Sequence, residues 1–100
     1  MFRYTTPRHT FTFPQDPQRY QQIRVTYKQL DRIILTKEKD EMSFCENNTA
    51  YFRLTQEETA RFQPGIDVRF QAHVQVEDGN VYASEEMLLR VKDVLDNEEL

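Results

Sequence analysis

The chain has 100 residues, of which 38% are hydrophobic and 12% aromatic, and this predicts one domain whose core depends on Phe and Tyr side chains. Its net charge of -4 gives no general reason to expect a polyanionic partner such as nucleic acid. The single cysteine, Cys45, excludes a disulfide within the chain, no apolar run approaches the ~18 residues of a membrane span, and residues 1–10 lack the apolar part of a signal peptide. We therefore expect a cytoplasmic protein that is not secreted by a signal peptide and has no membrane partner, with Cys45 half-buried.

Short strands are predicted in the first part of the chain, at residues 9–13, 22–28 and 33–36. The side chains expected to face the core from the first two strands are aromatic or β-branched: Phe11, Phe13, Ile23, Val25 and Tyr27. Residues 1–8 precede these strands and are expected to be frayed, as are residues 95–100.

A further hairpin is predicted from the segments 42–45 and 50–54, which flank the turn residues Asn47-Asn48. The sequence leaves its register open.

Residues 54–62, LTQEETARF, depart from the strand pattern and predict about one turn of helix. Thr55 and Glu58 have the spacing of a capping box, and Pro64-Gly65 follows as a stop signal. We expect this turn to cross from one sheet to the other, with Phe62 filling the open end of the core. The alternative is that Glu57 and Glu58 form an acid/base or metal pair. Adjacent residues on a helix point about 100° apart, which disfavours a shared ion.

The segment 67–77 is the clearest strand, because apolar and polar residues alternate along its whole length. Its apolar set faces the core and consists of Val68, Phe70, Ala72, Val74 and Val76. His73 belongs to the polar set, so we predict an exposed side chain rather than a ligand or a base.

Asp78-Gly79 then predicts a two-residue type I′ turn into a last strand at residues 81–91. In that register Val76 faces Val81 and Val74 faces Ala83, and the same parity continues through the inward residues Met87, Leu89 and Val91. Glu85 would fall on the inner face, so we expect a bulge or strand end at residues 84–86, with Glu85 and Glu86 protecting an edge.

About seven short strands with turns roughly every ten residues are typical of an all-β sandwich or barrel. We predict an antiparallel β-sandwich formed by residues 1–100 as a single domain, with one short helical crossover near residues 55–62.

The chemistry of most enzymes is absent from the sequence. Gly65 and Gly79 are the only glycines, so no glycine-rich phosphate loop exists, and no HExxH, CxxC or nucleophile-elbow pattern occurs. The acidic loops do not have EF-hand spacing. We predict a protein that is not an enzyme and has no catalytic residue, cofactor or metal.

Two kinds of interaction surface are predicted instead. The first is an open strand edge, either on the first strand around Thr10 and Thr12 or on the last around Arg90 and Lys92. The second is the outer face of the strand 22–28, whose polar residues, with Tyr20 nearby, would suit single-stranded nucleic acid: Arg24, Thr26 and Lys28.

Charge is unevenly divided between the two parts of the chain. Residues 1–37 carry a net +5 and residues 51–100 a net -6. If these sets lie on opposite faces, they favour head-to-tail association.

Three segments together resemble a known group of proteins: RVTYKQ (24–29), RLTQEETARF (53–62) and DGNVYASEEM (78–87). They look like small uncharacterised proteins encoded near tail and minor structural genes in prophage-like clusters of gram-positive gut bacteria. They are also loosely similar to the immunoglobulin-like N-terminal domain of phage baseplate upper proteins.

This resemblance implies an immunoglobulin-like sandwich and a structural, virion-associated role with self-association or docking onto a neighbour. It transfers no catalytic residue. The sequence therefore predicts a non-catalytic structural or protein-interaction module, of the kind found as phage tail or baseplate accessories. The alternative is a small β-barrel that binds single-stranded nucleic acid.

Overall fold

Eight strands and one short α-helix make up the regular structure in a computed structural model that describes all residues 1–100. In chain order they are β1 (Arg8–Thr12), β2 (Gln22–Gln29), β3 (Arg32–Glu38), β4 (Ser43–Phe44), β5 (Thr49–Arg53), α1 (Gln56–Ala60), β6 (Val68–Gln75), β7 (Val81–Ala83) and β8 (Met87–Leu89). Two 3₁₀ turns lie at Pro17–Arg19 and Lys39–Glu41. The last predicted strand is divided into β7 and β8, which accounts for eight strands rather than seven.

The strands form two antiparallel sheets. The smaller has the order β1-β5-β4, and the larger has the order β3-β2-β6-β7, with β8 pairing with β6 beyond the end of β7. The predicted all-β sandwich with one short helix is confirmed.

Aromatic side chains join the two sheets, as the composition predicts. Tyr27 is fully buried on β2, and its ring stacks on Phe70 of β6 at 5.4 Å and meets Phe52 of β5 edge-on at 6.4 Å. Phe11 of β1 stacks on Phe52 at 5.6 Å. The inward faces predicted for the first two strands are confirmed, since Ile23, Val25 and Tyr27 are completely buried and Phe13 is nearly so.

One end of the sandwich is closed by α1. The capping box is present, because the Glu58 amide donates to the Thr55 hydroxyl (3.1 Å) while the Thr55 amide donates to the Glu58 carboxylate (2.8 Å). Phe62 is completely buried, with its ring 6.0 Å from that of Tyr27. The predicted architectural role of residues 54–62 is therefore confirmed.

The chain termini lie side by side. The Met1 ammonium donates to the Arg90 carbonyl (2.7 Å), the Lys92 amide donates to Met1 (2.8 Å), and the Arg3 amide donates to Lys92 (2.9 Å). The predicted fraying of residues 1–8 stays a prediction. Residues 95–100 form no strand or helix.

The turn after β6 is not the predicted type I′ turn. Gln75 pairs with Val81 and Val74 with Tyr82, a shift of one residue from the predicted register. The Gly79 amide donates to Val76, the Val76 amide donates to Asn80, and Gly79 alone in this turn has positive φ, at 92°. This is the three-residue loop with a glycine bulge, and the shift turns every side chain of β7 to the opposite face.

A second shift, at residues 84–86, reverses the first. On β8, Met87 pairs with Phe70 and Leu89 with Val68, as the original parity requires. The irregularity predicted around Ser84–Glu86 is confirmed. The inward prediction is wrong for Val81 and Ala83, which are exposed, and right for Leu89 and Val91, which pack in or against the core.

Cys45 is exposed, so its half-buried prediction is wrong. Met42 and Phe44 face the core, and strand alternation turns Cys45 to the other side. The hairpin register that the sequence left open pairs Phe44 with Ala50 and Ser43 with Tyr51.

Candidate interaction groove

The sandwich is open along one side, where β1 ends the smaller sheet and β7 and β8 end the larger one. A groove of about 600 Å³ lies between these edges. Its lining is mostly apolar and includes Phe11, Phe13, Val74, Val76, Tyr82 and Met87. A depression of similar size, about 590 Å³, beside Arg24 and Lys39 is more open and is lined mostly by polar residues. The apolar groove is therefore the better site for a partner that buries hydrophobic surface.

The β1 edge of the groove presents unpaired backbone groups. The Leu54 amide donates to Pro7 and the Phe13 amide donates to Asn48, and β1 and β5 keep a constant antiparallel register between these bonds. Since hydrogen-bonded and non-bonded positions alternate in such a ladder, His9 and Phe11 bond to β5. The N–H and C=O groups of Thr10 and Thr12 therefore point away from the sheet, towards the open side.

The opposite edge of the groove is apolar at the surface. Val81, Tyr82 and Leu88 are 62%, 57% and 69% exposed, and Met87 is 36% exposed. Tyr82 faces the groove only because of the register shift at Gly79, which pairs it with Val74 on the inner face. A run of exposed apolar side chains beside a groove is a feature of interaction sites.

The second predicted edge is covered by the chain itself. Arg90 and Lys92 are exposed, but the Arg90 carbonyl and both backbone groups of Lys92 bond to residues 1–3. Of the two predicted edges, only the one at Thr10 and Thr12 has free backbone groups.

The outer face of β2, the second predicted interaction surface, carries several basic side chains. Register places Arg24 beside His73 and Lys28 beside Arg69, with Thr26 between them. Arg24 bonds to Glu38 at 2.6 Å. His73 is exposed, which confirms its predicted direction.

Tyr20 does not contribute to that face. It is only 3% exposed and its ring packs edge-on against Phe13 at 5.7 Å. The expected aromatic neighbour of Arg24, Thr26 and Lys28 is therefore absent from the surface.

Glu57 and Glu58 point in different directions, as their helical spacing predicts. Glu57 pairs with Arg61 in solvent (3.1 Å), whereas Glu58 pairs with the Lys37 ammonium (2.7 Å). The two carboxylates do not share a site. No three side chains of His, Cys, Asp or Glu converge elsewhere in the structure.

Sequence reasoning missed a half-buried polar group, His9, near this ion pair. The Nδ1 atom of His9 lies 2.6 Å from the Tyr27 hydroxyl. Burial, with a smaller contribution from the N-terminal ammonium, lowers the pKa of His9. Burial, then the charge of Glu58, raises the pKa of Tyr27, so the hydroxyl stays protonated beside His9. The signal was available, because His9 has the same strand parity as Phe11 and Phe13.

Glu58 is charged despite its position. Burial raises the pKa of Glu58, but the hydrogen bonds from Lys37 and Thr55 and the charge of Lys37 lower it by more. The result is a pKa below the ordinary value and a stable ion pair with Lys37, whose side chain is only 9% exposed.

Comparison with known proteins adds no family: no family model matches the chain, and no curated protein matches it. None of the helices has the length and apolar character needed to traverse a lipid bilayer.

Proposed function

We propose that the protein is a non-catalytic interaction module and that the groove between β1 and β7–β8 is its docking site. The single observation that supports this most is the exposed apolar wall formed by Tyr82 and Met87 across from the free edge of β1. Elsewhere the apolar face of each sheet is covered by the other sheet or by α1. Here nothing in the chain covers it, and burial of exposed apolar surface stabilises association.

Site-specific photocrosslinking tests the proposal. A benzophenone amino acid is placed at Tyr82 and, as a matched control, at His73, which is also on the surface but on the outer face of the same sheet. We expect a specific crosslinked partner from position 82 only. Binding of that purified partner should then weaken at least tenfold in Tyr82→Ser and Met87→Ser, and remain unchanged in His73→Ser. Equal crosslinking at both positions, or a partner affinity that neither groove variant changes, would contradict a docking role for the groove.

A more specific proposal is that the partner is a component of a phage tail or baseplate. Its support is the resemblance of residues 24–29, 53–62 and 78–87 to prophage-encoded proteins. The proposal concerns the role and not an immunoglobulin topology. An immunoglobulin sandwich places its first, second, fourth and fifth strands in one sheet. In this protein β1, β4 and β5 share one sheet, and β2 lies in the other. Pull-down from a phage lysate, with light scattering for self-association, tests it. A strict monomer that captures no tail component counts against this role.

A second candidate is single-stranded nucleic acid binding on the outer face of the larger sheet. The adjacency of Lys28 to Arg69 and of Arg24 to His73 favours it, and the lack of a surface aromatic there opposes it. We expect any such binding to be salt-dependent and to weaken when Arg24 and Lys28 are both changed to Ser. No retention on immobilised single-stranded DNA at low salt excludes this candidate.

A further inference from the structure

The free edges of the two sheets differ in their protection against an added strand. β1 has five residues in unbroken register with β5, and the outward groups of Thr10 and Thr12 lie between side chains without charge. β7 has only three residues before the register shifts, and Glu85 and Glu86 follow after Ser84. A shift and a pair of charges are the usual means by which an edge resists pairing.

The remaining edges are also less suitable. β4 has two residues. The β3 ladder contains a bulge opposite Tyr27 and Lys28, and β3 carries Lys37 and Glu38. Only β1 combines length and regular register with a run of residues without formal charge, 9–12, and an apolar groove beside it.

We propose that an extended segment of a partner protein adds to β1 as a fourth strand of the smaller sheet, with its alternate apolar side chains in the groove against Tyr82 and Met87. This inference rests on the proposed function and specifies how the partner is held. Backbone bonds to Thr10 and Thr12 give the segment its direction, and the groove selects for apolar residues at every second position.

The charge on the outer face beside β1 indicates an acidic partner segment. Side chains between the apolar positions of an added strand point away from the groove, onto the outer face of the smaller sheet. Arg8 and Arg53 are cross-strand partners on that face and are both exposed. Arg8 stacks on the Tyr51 ring and Arg53 donates to the Thr6 carbonyl, so neither is paired with a carboxylate. Asp or Glu between the apolar positions of the segment would therefore find complementary charge.

A second copy of this chain does not meet these requirements. If two β1 strands paired edge to edge, the inward side chains of the added strand would be the second copy's own His9 and Phe11. Those side chains already pack in the core of their own sandwich, against Phe52 and Phe70. The groove would stay unfilled, whereas a free segment has inward side chains available to fill it.

Synthetic peptides test the inference directly. The probes are nine-residue fluorescent peptides in which Val, Leu, Ile or Phe occupies every second position and either Lys or Glu occupies the others. Anisotropy titration is expected to show at least tenfold tighter binding for the Glu series than for the Lys series. The best Glu peptide is then made with N-methyl groups on the amides of its apolar residues or, separately, of its Glu residues. Successive amides of a strand point to opposite edges, so one methylated set should lose binding at least tenfold and the other should keep it.

Variants of β1 provide the matching test on the protein. Thr10→Pro removes an outward N–H and keeps the bonds to β5, because proline is tolerated on an edge strand whose N–H faces solvent. Thr10→Val is the control, since it keeps the N–H. We expect at least a tenfold loss of peptide binding in Thr10→Pro and no change in Thr10→Val. Circular dichroism and a melting curve show whether each variant is folded, and the methylated peptides decide the question if Thr10→Pro is not.

The outcomes separate this inference from the proposed function. If the peptides bind, and Tyr82→Ser weakens them, but neither methylated set does, the groove docks a partner without strand addition and the inference fails alone. If no peptide of either series binds, the inference also fails. If Thr10→Pro dissociates a dimer of the chain and no peptide binds, the occupant is a second copy. If in addition position 82 gives no crosslinked partner, the proposed function fails as well.

Discussion

The chain closes one end of the sandwich core and leaves one side of it open. At one end, α1 crosses between the sheets, and Phe62 fills the space that the strands leave. Along the open side, no segment crosses, and Tyr82 and Met87 remain on the surface above the groove. Both regions turn apolar side chains towards the space between the sheets, so direction alone does not decide burial. What decides it is whether another part of the chain is available to cover them.

The comparison predicts a large difference in stability between matched aromatic truncations. Phe62→Ala removes a fully buried ring and should lower the free energy of unfolding by about 3–5 kcal/mol. Tyr82→Ala removes a ring that is more than half exposed, and the change should stay within about 1 kcal/mol. Urea denaturation of both variants measures the difference. Similar losses in the two variants would mean that the groove wall is part of the stabilising core.

The ion pair beneath α1 gives the next largest expected effect. Glu58→Gln keeps a side chain that can complete the capping box but leaves the buried Lys37 ammonium without a charged partner. We expect a loss of about 2–3 kcal/mol. Adding Lys37→Met should recover part of that loss, because the uncompensated charge is then gone. A double variant no more stable than Glu58→Gln would show that the cost lies in the helix rather than in the ion pair.

The cap itself contributes less. Thr55→Ala removes the hydroxyl that accepts from the Glu58 amide and should cost about 1 kcal/mol in the same denaturation assay. Binding in the groove should be unchanged, since Thr55 is at the other end of the sandwich. Loss of binding in a variant of normal stability would make residues 54–62 part of a functional site.

The smallest expected effect is a pH dependence that arises at His9. Its pKa is lower in the folded protein than in the unfolded chain, so the unfolded chain binds more protons between the two values. The contribution of neutral His9 to stability is fully present above about pH 6.5 and is lost as the pH falls from there towards the folded-state pKa. The difference between wild type and His9→Gln, measured from pH 7.5 to 5.5, isolates this group from the N-terminal amine, the pKa of which is also lowered by burial and by Lys92. Parallel curves of stability against pH for the two proteins would contradict a contribution from His9.

Elements with strong local signals could be predicted from the sequence. The alternation in residues 67–77 gave β6 and the outward direction of His73, and the spacing of Thr55 and Glu58 gave α1 and its capping box. In each case the determining interactions lie within a few residues of each other.

Register and edges could not be predicted, because they depend on geometry that the residues do not encode locally. A glycine at positive φ occurs both in the two-residue turn and in the three-residue loop, so Asp78-Gly79 is compatible with either. The groove depends on which strand ends each sheet, and the closure of the Arg90 and Lys92 edge depends on residues 1–3, far away in sequence. The inward positions of His9 and Lys37 followed from strand parity, but polar residue types argued against them.

The paired register shifts around β7 make residues 80–83 an adjustable insert in the sheet. The bulge at Gly79 and the irregularity at residues 84–86 cancel each other. The side chains between them therefore point to the opposite faces from those that a continuous strand over residues 81–91 would give them. Shortening the loop by one residue and lengthening residues 84–86 by one would rotate this segment by half a pleat without moving Met87 or Leu89. Val81 and Ala83 would then replace Tyr82 along the groove, so the preference of this surface for its ligand could be re-engineered while the rest of the sandwich is left intact.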